Sequence, residues 1–530
     1  MKRWNGWGDT ARHYPLAPPG LAYVAGLVGS GEPQPDVTFE SVVADVPPTR
    51  LPAHTLITME AADRARHARG QSLPDWIALR SGRIEAFPDG VAYPTSDEQV
   101  RELLAYARAV EAQIIPYGGG TSVVGHINPL PGARPVLTVD MGRLNRLLAF
   151  DLTSQLATFE AGVIGPDLEA QLRARGFTLG HYPQSFEYSS LGGWIATRSS
   201  GQQAYHFGRI EDHFAGGHIE TPLGPLDLPP HPATAAGPDL RHLLLGSEGR
   251  LGLITRATVR VRPIPEQESF QAIFFRDWSS GVNAVREMAQ FGAPVSMLRL
   301  SDALETESNL RLAGKDTLVQ WAGRALRLAR YGATRCLLIY AVTGDRKTTD
   351  AGRAVVHKIA RAHNGLPIGE TVGHLWAKNR FFAPYLRNTL WEAGYAVDTF
   401  ETAVTWQNVL SAAGAMTDAV RNGLADSGEK VLAFAHLSHL YRDGASIYVT
   451  YLYRRAADPQ ETLRRWQRLK AAGSQAVIQY GGTISHQHGV GLDHAPYLAA
   501  EKGLLGMEML RAVVHAFDPD SLLNPGKLIQ

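Results

Sequence analysis

Three glycine-rich loops between residues 116 and 255 constrain the fold of this chain more than any other feature. The first, PYGGGTSVVG, follows a predicted strand, and Gly118, Gly119 and Gly120 can turn several backbone N–H groups towards one anion. Thr121 and Ser122 add hydroxyl donors. The loop suits a pyrophosphate, although it lacks the Gly-Lys-Ser/Thr of a P-loop and does not open a helix as G-x-G-x-x-G does.

The other two loops are GHYPQSFEYSSLGGWIATRSSGQQAYHFGRIED and LLLGSEGRLGLIT. Both are rich in small residues, and predicted strands interleave with them. One such loop is weak evidence, because a mobile glycine turn looks the same. Three in one module predict a long, narrow groove in which backbone groups hold a dinucleotide.

The order of predicted elements divides the 530 residues into four parts. Residues 1–85 are predicted to be an N-terminal arm with one amphipathic helix near MEAADRARHARG. Residues 86–265 form an α+β domain of cofactor-binding size that begins with a β–α–β unit. Residues 266–470 form an α/β cap with an antiparallel sheet, and residues 471–530 supply helices and a closing segment.

Charge and composition exclude several classes of function. The 52 basic and 51 acidic residues give a net charge of +1, so no overall field attracts nucleic acid. The single cysteine, Cys336, excludes an intramolecular disulfide and a cysteine-based metal site. No cleavable leader and no run of about 18 apolar residues is visible, so we expect a cytoplasmic protein.

The C-terminal stretch GGTISHQHGVGLDH places His486 and His488 on either side of Gln487, directly after a Gly-Gly turn. Two histidines at this spacing are compatible with a metal site, with an acid/base pair beside a reacting carbon, or with packed imidazoles. The stretch alone does not decide among the three.

Several motifs in a fixed order resemble a known family. The order IPYGGGTSV, FEAGV, GHYPQS, LGGWIATRSSGQ, GRIED, GSEGRLG resembles the FAD domain of the vanillyl-alcohol-oxidase-type flavoproteins. Within that superfamily the chain is similar to the alkyldihydroxyacetonephosphate (alkylglycerone phosphate) synthase family, from RWNGWG near the start to SHQHGVG. The resemblance implies an α+β fold: a two-subdomain PCMH-type FAD-binding domain, an α/β cap with an antiparallel sheet, and a C-terminal helical segment closing over the flavin.

The resemblance also implies the residues that hold FAD. They are Pro116, Gly118, Gly119, Gly120, Thr121, Ser122, Pro183, Ser185, Gly192, Gly193, Ser199, Glu248 and Ile254. Family members with a covalent flavin often carry a histidine within the first loop, where this chain has Gly120 and Thr121, and His126 lies beyond. Non-covalent FAD is therefore expected.

The 2-hydroxy-acid dehydrogenases of the same superfamily offer an alternative. They bind a divalent metal through GHxxDGNxH and a glutamate in SxEHGxG. Here the corresponding stretch is HLSHLYRDGASIYV, with Ile447 and Tyr448 where the second histidine would fall, and Gln487 replaces the glutamate. Neutral glutamine is a poor metal ligand, so no metal is expected.

The resemblance to the synthases assigns acid/base chemistry to Tyr448, His486 and His488. A tyrosine packed in the sheet remains the alternative for Tyr448. Gln487 stands where the family commonly has a third histidine, and it can orient a substrate but cannot titrate.

Two arginines match the family's phosphate-binding arginines, namely Arg299 in SMLRLSD and Arg387 in PYLRNTL. A planar guanidinium suits bidentate contact with phosphate, although a surface salt bridge is the alternative for one of them. Glu401 in FETAVTW is interpreted as a structural or substrate-lining residue.

The implied reaction exchanges the fatty acid of acyl-dihydroxyacetone phosphate for a fatty alcohol, with FAD as an electrophile rather than a net electron carrier. The alternatives are an FAD-dependent dehydrogenase or oxidase of a 2-hydroxy acid or polyol phosphate, and a flavin-binding partner protein. The expected partner is a lipid substrate with a phosphate, and a homodimer is also considered. Peripheral membrane contact is predicted through TLVQWAGRALRLARYG, where one helical face carries Leu318, Trp321, Leu328 and Tyr331 and other faces carry Arg324, Arg327 and Arg330. A basic, solvated helix packed on its own domain is the alternative.

Overall fold

The computed structural model describes residues 1–312 and 331–529. Within them, four β-sheets are surrounded by helices. The strands are β1 (Ile57–Thr58), β2 (Gly90–Ala92), β3 (Gln113–Tyr117), β4 (Val136–Asp140), β5 (Leu147–Asp151), β6 (Leu156–Glu160), β7 (Phe177–Thr178), β8 (Phe214–Thr221), β9 (Gly224–Leu228), β10 (Leu253–Arg260), β11 (Arg262–Pro263), β12 (Gln267–Phe275), β13 (Met297–Ser301), β14 (Cys336–Gly344), β15 (Leu366–Gly369), β16 (Tyr395–Thr405), β17 (Leu432–Leu440) and β18 (Gly444–Arg454).

The helices described by the structure connect and cover these sheets. They are α1 (Pro18–Val28), α2 (Phe39–Ala44), α3 (Ala61–Arg66), α4 (Leu73–Ser81), α5 (Asp97–Ala109), α6 (Gly165–Arg173), α7 (Leu191–Thr197), α8 (Ala204–Phe207), α9 (Ile210–His213), α10 (Arg241–Leu244), α11 (Trp278–Phe291), α12 (Ala303–Leu312), α13 (Arg346–Ala362), α14 (Glu370–Asn379), α15 (Leu386–Glu392), α16 (Val409–Asn422), α17 (Pro459–Gln479) and α18 (Ala495–Phe517).

A four-stranded sheet with the order β1-β2-β4-β3 carries the first glycine-rich loop. Strands β2 and β3 both run parallel to β4, and α5 connects them as a crossover. Helix α5 begins where the Ser96 hydroxyl accepts a hydrogen bond from the Gln99 amide, and Val100, Leu103 and Ala107 form its buried stripe. The β–α–β unit places the loop at the end of β3.

A five-stranded antiparallel sheet with the order β5-β6-β10-β8-β9 carries the other two loops. Helix α7 lies within the second glycine-rich segment and is capped by Ser190, whose hydroxyl accepts a hydrogen bond from the Gly193 amide. The third loop leads directly into β10, the central strand of this sheet.

A seven-stranded antiparallel sheet forms the second half, with the order β15-β12-β14-β13-β17-β18-β16. Helices α11, α13 and α16 pack against its outer face, where Leu338 and Tyr340 are buried. Because side chains alternate along a strand, Leu337 and Ile339 point to the inner face. That face looks into a cavity.

The N-terminal arm is more structured than the sequence predicted. The expected helix near MEAADRARHARG is short, from Ala61 to Arg66, and α1, α2 and α4 accompany it. Helix α4 begins with a capping box between Ser72 and Asp75, and this pair in the sequence is typical of a helix start. The α+β fold class predicted from the sequence is confirmed.

The described helices include none that is both long and apolar enough to cross a membrane. Of the segment predicted to contact a membrane surface, Leu318, Trp321 and Leu328 lie outside the described residues. Tyr331, predicted to share their face, is described and buried, and its hydroxyl donates to the backbone oxygen of Asn364, so it is packed inside the protein.

Candidate active site

A cavity of about 730 Å³ lies between the three glycine-rich loops and the inner face of the seven-stranded sheet. We call it the main cavity. Apart from His486, all of the predicted site residues line it. His126 lines it as well, and further lining residues, which the sequence did not single out, include Gln184, Glu305, Trp376, Arg380, His436 and Asn524.

The first glycine-rich loop has no room for side chains. A Cβ atom on Gly119 would lie 1.7 Å from the backbone oxygen of Tyr188, and one on Gly118 would lie 2.3 Å from the hydroxyl of Ser190. Gly120 has a φ of +68°, in the left-handed region. The loop is thus held tightly against the second loop and presents its backbone to the cavity, as a pyrophosphate site requires.

The second loop contributes Pro183, Ser185, Gly192, Gly193 and Ser199 to the same cavity. A Cβ atom on Gly192 would lie 3.1 Å from the backbone oxygen of Ala161, so a larger residue would push α7 away from β6. Small residues here keep α7 close to β6.

Glu248, in the third loop, holds the C-terminal segment in place. Its carboxylate accepts hydrogen bonds from the backbone amides of Val490 and Gly491, the latter at 2.8 Å. Its backbone oxygen accepts a hydrogen bond from the side-chain amide of Asn524 at 2.8 Å. The predicted flavin-lining residue therefore lines the cavity and also fixes the loop that carries the histidines.

The first two loops fit an FAD molecule. Gly118 and Gly119 leave backbone where a Cβ atom would collide, and Thr121, Ser122 and Ser185 add hydroxyl groups along the wall. Such a cradle of amides and small hydroxyls matches the needs of a buried pyrophosphate.

Four polar side chains form a row across the inner face of the seven-stranded sheet. Glu401 pairs with Tyr448, Tyr448 with His436, and His436 with Ser301 in the strand register. Directly paired residues of antiparallel strands share a face, so the row is a consequence of the register. We call these residues the polar row.

Tyr448 lies in the middle of the polar row and is enclosed. Its hydroxyl donates to Oγ1 of Thr399 at 3.0 Å, and its ring stacks on His436 with centroids 4.9 Å apart. The edge of His488 packs on it at 5.5 Å. Burial raises the pKa of Tyr448 to about 12, so the phenol keeps its proton at neutral pH and can donate it.

Glu401 anchors the histidine loop. Its carboxylate accepts hydrogen bonds from the backbone amides of His486, Gln487 and His488 at 2.7, 3.0 and 3.1 Å, and from the hydroxyl of Ser485 at 2.9 Å. A buried carboxylate with four donors is fully satisfied. Glu401 is therefore a structural residue of the site.

The two histidines of the loop point to different places. His488 lines the main cavity, and burial lowers its pKa. His486 does not line the cavity, and its Nε2 lies 2.6 Å from both Nη1 of Arg209 and the hydroxyl of Tyr441. A direct catalytic role for His486 stays a prediction, and its observed contacts support the loop from behind.

The two predicted phosphate-binding arginines differ in their availability. Arg299 forms an ion pair with Glu305 at 2.7 Å, which compensates much of its charge. Arg387 donates to two backbone oxygens and lies over Trp76, but its buried Nη2 makes no hydrogen bond to the described residues. Arg387 thus retains an unused donor at the cavity, and burial of such a donor costs free energy unless a further group pairs with it.

The opposite part of the main cavity is apolar. Its lining comes from α12, α14, α15 and the sheet, and includes Met297, Leu310, Leu337, Ile339, Val372, Trp376, Leu390 and Phe434. Phe434 precedes His436 by two residues on β17 and shares its face. Apolar and polar lining therefore meet at the polar row.

Sequence reasoning missed His436 and Glu305. The signal was present in HLSHLYRDGASIYV, since the turn at Asp443 predicts a hairpin that brings His436 opposite Tyr448. Glu305 had no such signal, because it reaches the site from α12 through tertiary contacts.

Fold and site together define a flavoprotein with a two-part FAD-binding domain and a substrate cap. A family model described as the FAD binding domain matches residues 88–226, and one described as FAD linked oxidases, C-terminal domain, matches residues 264–528, half of the chain. The chain belongs to the FAD-linked oxidase family, and FAD is its cofactor.

Within that family, the chain is similar over nearly its whole length to alkyldihydroxyacetonephosphate synthases. It is 29% identical to the synthase of Dictyostelium discoideum, covering 99% of this chain and 93% of the relative. It is 28% identical to that of Trypanosoma brucei brucei, covering 99% and 92%. A solved structure of an alkyldihydroxyacetonephosphate synthase superposes with a TM-score of 0.85 at 28% identity, covering 99% of both chains.

Proposed function

We propose that this protein is an FAD-dependent enzyme that exchanges the acyl chain of acyl-dihydroxyacetone phosphate for a fatty alcohol. The observation that carries the proposal is the apolar part of the main cavity, which ends at the polar row. A long alkyl chain suits the apolar lining, and its reactive end would then meet Tyr448 and His488.

The phosphate of the substrate is assigned to Arg387, whose Nη2 is buried and has no hydrogen-bond partner among the described residues. A guanidinium gives a phosphate both charge and directed hydrogen bonds. Arg299 remains a second candidate, with Glu305 reducing its net charge. Gln487 lines the same cavity, and its side-chain amide could orient a hydroxyl group.

FAD, when bound, supplies an electron-deficient ring that can take up electron density from the substrate carbon. The residues around it bind, orient and move protons. Tyr448 is assigned as a proton donor, because burial keeps its phenol protonated. His488 is assigned as its neighbouring acceptor, because burial favours the neutral imidazole. The apolar lining excludes water from the reacting carbon.

We expect FAD to be bound without a covalent link. The first loop offers no side-chain nucleophile at Gly118, Gly119 or Gly120. Denaturation of the yellow protein in acid should release all flavin into the supernatant, measured by absorbance. Flavin fluorescence that stays with the polypeptide on a denaturing gel would disprove the expectation and would point to His126, which lines the cavity.

The function is tested with purified holoenzyme, palmitoyl-dihydroxyacetone phosphate and labelled hexadecanol, without an electron acceptor. We expect ether product and released palmitate in equal amounts, with no net change in flavin redox state. Replacing the acyl substrate by 2-hydroxy acids or by glycerol 3-phosphate, under anaerobic conditions, is the comparison. Lasting bleaching of the flavin by one of these compounds, with no ether product from the acyl substrate, would show that the protein is a dehydrogenase and that the exchange reaction is wrong.

A further inference from the structure

His436 lies inside the main cavity, in the polar row, and has no part in the assignments above. Its ring faces that of Tyr448 at an interplanar angle of 17°. The side chain is buried, and Tyr448 and Ser301 flank it in the strand register. An imidazole in this position is next to any group that the cavity brings to Tyr448.

Glu305 fixes which ring nitrogen of His436 carries the proton. Nδ1 lies 3.1 Å from Oε1 of Glu305 and also 3.1 Å from Nη2 of Arg299, which itself donates to Oε1 at 2.7 Å. The carboxylate can only accept, and the contact of Nη2 with it is shorter than that of Nη2 with Nδ1. A lone pair on Nδ1 would be repelled by the carboxylate, so we assign the hydrogen of the ring to Nδ1.

Nε2 of His436 is therefore left with a lone pair. Among the described residues it has no hydrogen-bond partner, and the side chain lines the cavity. An imidazole that donates from Nδ1 to a carboxylate and accepts at Nε2 has the geometry of a general base. Burial, and then the nearby charge of Arg299, lowers the pKa of His436, which keeps the acceptor form present at neutral pH.

We propose that His436, oriented by Glu305, is the catalytic base that accepts the hydroxyl proton of the incoming fatty alcohol. This inference rests on the proposed function. The O–H bond of the alcohol breaks, its proton moves to Nε2, and its oxygen electron pair forms the new C–O bond to the substrate carbon. The fatty acid departs as carboxylate with the electron pair of the broken C–O bond, and one proton per turnover is released to solvent.

The surroundings of His436 favour the alcohol as its partner. Phe434 lies on the same strand face two residues away, and Leu337 and Ile339 of β14 line the cavity beside it. An alkyl chain in contact with these residues brings its terminal hydroxyl to the polar row. His488 and Tyr448 are then left to serve the carbon next to the ketone.

His436→Phe keeps an aromatic ring against Tyr448 but removes Nε2. We expect kcat with hexadecanol to fall about 10²–10³-fold, because that is the usual contribution of a general base. The flavin spectrum and the exchange of substrate hydrogen for deuterium from D₂O should persist. With 2,2-difluorohexadecanol, a more acidic alcohol that needs less help from a base, the loss relative to wild type should be at least about tenfold smaller.

His357→Phe is the matched control, since His357 also packs against a tyrosine ring, that of Tyr340, but outside the main cavity. It should behave as wild type. If the His436→Phe protein fails to bind FAD, the Glu305→Gln protein is assayed in its place. Its kcat should fall by a smaller factor than expected for His436→Phe, and the fall should again be smaller with the more acidic alcohol.

Each remaining outcome counts against a definite statement. If His436→Phe loses the same factor with both alcohols, or if its kcat stays within threefold of wild type, His436 is not the base. The proposed function still holds in that case, provided that the wild type forms ether. A wild type that forms no ether overturns both.

Discussion

Tyr448→Phe should reduce ether formation by about 10²–10⁴-fold while the protein keeps its FAD and its melting temperature. The hydroxyl donates to Thr399 and is the one proton donor of the polar row that burial holds protonated. Phenylalanine preserves the stack on His436, so the change isolates proton transfer from packing. Ether product, flavin absorbance and thermal unfolding are measured on the same preparation.

Tyr340→Phe provides the control in the same sheet. Tyr340 is also fully buried, and its hydroxyl contacts His357 on the side of the sheet away from the main cavity. It should cost stability but leave kcat within a few-fold of wild type. If Tyr448→Phe keeps near-normal turnover, or if both variants lose activity equally, the acid/base assignment of Tyr448 is wrong and the packed-tyrosine alternative holds.

The sequence was most informative where function depends on a short run of residues. The glycine run 118–120 predicts an exposed stretch of backbone without information from other segments. Only glycine allows the close approach of this run to Tyr188 and Ser190 that the structure contains. The β–α–β unit was readable for the same reason, since its caps and apolar stripe are local. The predicted flavin-lining residues line one cavity, and their contacts with FAD stay a prediction.

The sequence was least informative where two distant segments decide the role of a side chain. His486 precedes Gln487 and His488 directly in the chain, yet its side chain turns towards Arg209 and Tyr441. The orientation depends on Glu401 of β16, whose carboxylate binds the backbone amide of His486. That contact spans 85 residues of sequence. Periodicity within the loop contains no information on it.

The histidine loop is held from both halves of the protein. Glu401 of the cap sheet binds its first amides, and Glu248 of the third glycine-rich loop binds those of Val490 and Gly491. One buried carboxylate from each half of the protein therefore fixes the histidine loop, which connects the glycine-rich loops with the polar row. Placement of His488 beside Tyr448 therefore depends on the correct docking of the two halves.

Gly119→Ala should abolish FAD binding. The added Cβ would lie 1.7 Å from the oxygen and 2.6 Å from the carbon of the Tyr188 carbonyl group, which are main-chain atoms and cannot rotate away. Either the first loop or the second must shift, and the amides of the pyrophosphate cradle shift with it. We expect the Gly119→Ala protein to be purified without its yellow colour. The free energy of unfolding of its apoprotein should fall by about 1–3 kcal/mol, as is usual for overpacking.

The matched control is Gly132→Ala, in the same half of the protein. A Cβ atom there would have no neighbour among the described residues within 4 Å, and Gly132 is not among the glycines with positive φ. Both variants add one methyl group, so only the contact with the second loop distinguishes them. Flavin content per protein, isothermal titration with FAD, and chemical unfolding separate cofactor loss from general destabilisation. A Gly119→Ala protein that binds FAD as tightly as Gly132→Ala would remove the first loop from the flavin cradle, and with it the pyrophosphate assignment of Thr121 and Ser122.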